Sequence, residues 1–135
     1  MPGPLIAAAN RNDRHHDSCV RTLIEARSPR LVSGLVIAEV CYMLARDGGV
    51  AQEAAFLRSF GTGFLTVADL IPDDLTRAAE LVEQYADLPL GGTDASVIAL
   101  AERLEITDVA TLDVRHFRVV RPNHVTALTL LPEGA

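Results

Sequence analysis

Three carboxylates stand apart from the other acidic residues of this sequence because of what surrounds them. Glu39 lies in LVSGLVIAEVCYMLA, residues 31–45, a run that is otherwise almost wholly apolar. Asp94 follows Gly91, Gly92 and Thr93 and is in helical register with Val97, Ile98, Ala101 and Leu104, at the amino end of an apolar stripe. Asp113 comes directly after VATL, at the carboxyl end of a strand-like segment, the edge where parallel α/β sheets collect their ligands. If the three share one edge, their repulsion is large. Two unit charges ~5 Å apart at an effective dielectric of ~20 repel by about 3 kcal/mol, so three pairs cost about 10 kcal/mol unless protons or cations intervene. Hard divalent ions with oxygen ligands meet that need. The set contains carboxylates only, with no His or Cys at ligand spacing, so Mg²⁺ or Mn²⁺ fits better than zinc. Such a site is suited to in-line attack of water on a phosphodiester, the ion lowering the pKa of the water and neutralising charge on the transferring phosphoryl group.

Each residue also has a plainer reading. Glu39 has Leu35, Val36, Tyr42 and Met43 as its helical neighbours, so no base of its own helix reaches it; it lies on a solvent strip, meets an arginine from elsewhere, or is functional. Asp94 suits an ordinary helix start. Asp113 suits a turn. Arg115, His116, Arg118 and Arg121 form a basic run after Asp113, placed either to hold a phosphate backbone beside the ion or to solvate a surface turn. His116 is also a candidate general acid, a role that water can fill in a metal-dependent nuclease. His15, His16 and Cys19 match no common metal spacing and read as the entry to a helix.

The elements that must position these residues alternate. Helices are expected at 15–26, 35–46 and 50–60, then from Pro72 with a stripe of Leu75, Ala78, Ala79 and Val82, and at 91–105; strands are expected at 30–33, 64–70, 107–113 and 126–131. That order predicts an α/β fold with a mainly parallel sheet. At 135 residues and 49% hydrophobic, without repeat or linker, the chain suits a single domain, residues 1–135, around one core. No apolar run reaches the ~18 residues of a membrane span, and MPGPLIAAAN lacks the charged and apolar regions of a signal peptide, so the expected location is the cytoplasm. The net charge of −6 argues against broad nonspecific binding to nucleic acid without excluding a local patch. All twelve basic residues are arginine, the better phosphate fork. Cys19 and Cys41 read as buried thiols. A flavodoxin-like phosphate site is disfavoured, because no glycine-rich loop follows a strand.

Three segments together, LVSGLVIAEVCYMLAR, YADLPLGGTDASVIALAERLEI and VATLDVRHFRVVRP, resemble the sequence blocks of PIN-domain ribonucleases, specifically the VapC-type toxins of bacterial toxin–antitoxin pairs. The resemblance runs over residues 3–132. It implies a three-layer α/β/α domain, Mg²⁺- or Mn²⁺-dependent cleavage of RNA to a 5′-phosphate and a 3′-hydroxyl, a homodimer, and a small antitoxin of the VapB type covering the acidic pocket. Residue by residue, Glu39 matches the family's helical acidic residue, Asp94 its aspartate at the start of the later helix, and Asp113 its aspartate after the following strand. The amino end departs from the pattern. The family opens with a short apolar strand ending in Asp-Thr or Asp-Ser, whereas PGPLIAAANRNDRHH matches the segment after it, with Met1 at the aspartate and Pro2 at the hydroxyl residue. Asp13 and Asp17 sit too far along to substitute and read as turn and helix-start residues. The expectation from this departure is a fold without its first strand and a site with one ligand fewer, hence weakened activity or a non-cleaving module that retains its dimer and antitoxin surfaces.

Overall fold

The computed structural model describes residues 2–27 and 29–133, in two compact units that divide between Ala68 and Asp69. Met1, aligned with the family's first aspartate, lies outside the described residues.

The first unit comprises α1 (Pro2–Ala9), α2 (His16–Glu25), β1 (Leu31–Ser33), α3 (Gly34–Asp47), α4 (Val50–Gly61) and β2 (Thr66–Ala68). β1 and β2 pair in parallel, with Leu31 opposite Thr66 and Ser33 opposite Ala68. The strand runs straight into α3, whose amino end is capped by Ser33 accepting the Val36 N–H at 3.3 Å. Val36, Val40 and Leu44 then recur every fourth residue and form the buried face of α3. α1 was not expected. Its prolines mask a helix in the sequence, yet Pro4 lies in the first turn, where a missing N–H removes no helical bond, and the alanines that follow have the highest helix propensity. The start of α2 is tied to α1 by His16, whose Nδ1 lies 2.9 Å from the Ala7 carbonyl, and Asp13 accepts the His15 N–H at 2.7 Å. The helix-entry reading of this segment therefore holds. Arg30 binds the carbonyls of Leu23, Ile24 and Phe64 and lies over the Phe64 ring, joining the end of α2 to the approach of β2. Both cysteines are free thiols; Cys19 is buried and Cys41 only half-buried. Burial first, and the neighbouring charges of Asp13 and Glu53 respectively, push both thiols up.

The second unit comprises α5 (Pro72–Gln84), α6 (Gly92–Leu104), β3 (Asp108–Ala110), α7 (Val114–Val119) and β4 (Thr129–Leu131). β3 and β4 are again parallel, Asp108 opposite Thr129 and Ala110 opposite Leu131. α5 packs on α6, and Leu81, Ile98, Phe117 and Val120 are fully buried at the centre of this core. The face that α5 buries differs from the expected stripe: Asp74, Ala78 and Leu81 are inside, whereas Leu75 is 49% exposed. The cause is an ion pair. Arg103 Nε of α6 donates to both Asp74 oxygens at 2.9 and 3.1 Å, so a carboxylate occupies the helix face where an apolar side chain was expected. Leu104, assigned to the buried stripe of α6, is likewise 41% exposed. A second pair, Arg77 to Glu102 at 2.8 and 3.0 Å, crosses the same two helices.

Candidate metal centre

Asp94 and Asp113 reach their places by two different local rules. α6 starts after Gly91, which has no side chain to cap with, and Asp94 falls on the third helical residue, in the first turn and half-buried. The helix-start reading is thus correct as to position, although the cap itself is glycine. Asp113 follows β3 after a two-residue step. Its own N–H donates to Thr111 Oγ1 at 2.9 Å, and Thr111 is completely buried. The Asp113 side chain caps α7 by accepting the His116 N–H at 3.4 Å. Arg115, His116 and Arg118 of the basic run therefore lie on the short helix α7 and not on a turn, while Arg121 follows it.

That helix changes the donor set. With the chain helical from Val114, positions 113 and 116 share a face, and His116 Nδ1 lies 2.6 Å from Asp113 Oδ2. One donor atom each from Asp94, Asp113 and His116 all lie within 4.8 Å of one another. Two of the three expected carboxylates thus lie together, and an imidazole that the sequence reading left out of the donor set stands with them. Donors on one first-row ion at ~2.1 Å stand up to ~4.2 Å apart, so a spread of this size is within small side-chain rotations of a shared divalent ion. The cluster is also open to substrate, since the Asp113 side chain is 45% exposed.

Glu39 lies on α3 in the first unit, half-buried beside the Val36–Val40–Leu44 face. Among the described residues of that unit no ion pair reaches it; the pair on its helix joins Arg46 to Asp47 at 2.8 Å, at the far end. The exposed residues of α3 include Leu35 and Tyr42 as well as Arg46 and Asp47, and Glu39 is half-exposed beside them. Arg115 and Arg118 project into solvent from α7. Arg121 does not belong with them, because its guanidinium accepts a structural task, donating to the carbonyls of Arg118 and Val119 at the end of that helix. Two features were missed in the sequence. Thr111 as a support for Asp113 has no local signal, but the Asp113–His116 spacing would have shown the imidazole once α7 was assigned.

With this geometry in hand the comparisons with known proteins are direct. The PIN-domain profile matches residues 4–122, and the chain belongs to the PIN-domain family. Within that family it is 30% identical over 128 residues, 95% of either chain, to Ribonuclease VapC26 of Mycobacterium tuberculosis. The crystal structure of Mycobacterium tuberculosis VapC20, described as a sarcin–ricin loop cleaving toxin, superposes with a TM-score of 0.74 at 19% identity, covering 79% of this chain and 82% of that one. The fold is therefore the α/β PIN fold, rich in helix and with short parallel strands.

Proposed function

We propose that this protein is a metal-dependent endoribonuclease of the VapC type, the toxin of a toxin–antitoxin pair, working as one domain in the cytoplasm and held in check by a VapB-type antitoxin. The observation that supports this most is the convergence of Asp94, Asp113 and His116, from the start of α6 and the turn after β3, on one small volume. Among the described residues no helix is long and apolar enough to cross a membrane, which suits a partner and a substrate in the same compartment. Asp94 and Asp113 would hold Mg²⁺ or Mn²⁺, with Glu39 as a further carboxylate by the family pattern. A divalent ion there supplies Lewis-acid chemistry, making water a nucleophile near neutral pH and offsetting charge on the phosphoryl group. The residues of the chain do the rest. The Asp113 carboxylate is aimed by its own cap and by Thr111, and Arg115 and Arg118 hold the phosphates flanking the scissile bond, with His116 beside them. A homodimer is part of the same reading, as is typical of the family.

The test is ion binding and RNA cleavage on the same protein. Micromolar Mn²⁺ binding is expected, weakened at least about tenfold in Asp94→Asn and Asp113→Asn with loss of cleavage. Asparagine still caps a helix, so Asp113→Asn should melt within a few degrees of the parent. Glu39→Gln should lose cleavage too. A parent protein that binds no ion at millimolar concentration would instead be a non-cleaving module that only dimerises and binds its antitoxin.

A further inference from the structure

A carboxylate-only site would serve Mg²⁺ well, so the presence of an imidazole among the donors calls for a reason. His116 is not a passing neighbour of the cluster. Its main-chain N–H is bound by Asp113 Oδ1, its Nδ1 lies 2.6 Å from Asp113 Oδ2, and the next residue, Phe117, is 1% exposed and anchors α7 to the core. The imidazole itself is about a quarter exposed, which leaves one edge of the ring accessible. The carboxylate oxygen and the ring nitrogen stand at hydrogen-bond distance, which fixes the imidazole against the carboxylate and places its nitrogen donors beside the cluster. An oxygen of Asp94 is within 4.8 Å of the same place.

Resting on the metal-dependent reading above, we propose that His116 supplies a nitrogen donor to the divalent-ion site and tilts its preference from Mg²⁺ toward Mn²⁺. Mg²⁺ is a hard ion that keeps oxygen ligands and several waters, and it gains little from imidazole. First-row transition ions accept imidazole and carboxylate together, and the two-oxygen, one-nitrogen set formed by Asp94, Asp113 and His116 is of that mixed kind. Replacing the ring by a carboxylate would return the site to oxygen donors alone.

The decisive measurement is made on the full chain with Mn²⁺ alone. Pulsed EPR of the bound ion is expected to show ¹⁴N coupling in the parent and none in His116→Asp with the ion still bound. Calorimetric titration of both ions should give a ratio of Mg²⁺ to Mn²⁺ dissociation constants that falls roughly tenfold or more in His116→Asp. His116→Gln, which keeps a neutral side chain, should show the same loss of nitrogen coupling if the aspartate variant folds poorly. Mn²⁺ bound to the parent without nitrogen coupling, or an unchanged ratio, would overturn the role of His116 and leave the carboxylate site intact. Failure of the parent to bind Mn²⁺ at all would remove the metal-dependent reading and this inference with it.

Discussion

At the scale of single residues, the candidate site depends on groups that do not themselves face the substrate. Thr111 is completely buried, and its hydroxyl is the acceptor for the Asp113 N–H. Thr111→Val keeps the shape and removes that acceptor, so an N–H loses its partner at a cost of about 1–2 kcal/mol. Because the bond also fixes where Asp113 starts, Mn²⁺ affinity should weaken by roughly tenfold, and Thr111→Ser should restore it. Calorimetry on the two variants checks this; equal affinities in valine and serine variants would reduce Thr111 to a packing residue. Asp94 and Asp113, which the structure brings together, could be picked out in the sequence because each stands at the end of an apolar pattern, a signal that survives without any knowledge of the fold. His116 was only half legible. It was visible as part of a basic run, but its membership of the cluster depends on α7 starting at Val114, and six residues carry too little periodicity to show a helix.

At the scale of elements, the α5–α6 pair combines apolar packing with two ion pairs that the hydrophobic pattern could not reveal. Burial pushes the Asp74 carboxyl up, but hydrogen bonds from Arg103 and from the Ile71 N–H, together with the guanidinium charge, outweigh it and hold the group below the usual range. Glu102 behaves alike, with burial opposed by Arg77, by the Asn123 N–H and by the charge of His124. Carboxyls lowered in the folded state stabilise it fully above their unfolded values, roughly pH 4 to 4.5, and lose that contribution as pH falls through the lower folded values. The melting temperature should therefore stay nearly level from pH 7 to about 5 and fall below about 4. Asp74→Asn should cost about 2 kcal/mol at pH 7, less than a fully buried pair because the Arg103 side chain is 33% exposed, and should flatten the acid limb. Thermal melts across pH on the parent and the variant measure both effects. The same pair explains why the expected stripe of α5 was displaced: a rule that places charges outside fails where an arginine on the neighbouring helix meets the carboxylate. Long helices with four-residue apolar repeats, such as α3, were legible because nothing competes with their pattern.

At the scale of the whole molecule, the chain is two units, each holding one two-stranded parallel sheet and its helices. Pieces of this size with so little sheet are marginal alone, so thermal unfolding is expected as a single transition, with calorimetric and van 't Hoff enthalpies equal. Two resolved transitions would show the halves to be independent. The fold class was legible from alternating strands and helices, and β1 nearly fills its expected span, whereas β2, β3 and β4 proved much shorter than the runs that announced them, since only three residues of each are paired. The division at Ala68 and Asp69 also bears on biosynthesis. Asp94, Asp113 and His116 all belong to the half translated last, so none of the clustered donors has been made when the first 68 residues are complete. A chain cut short anywhere within the first unit therefore carries none of the clustered donors, whatever that unit does by itself.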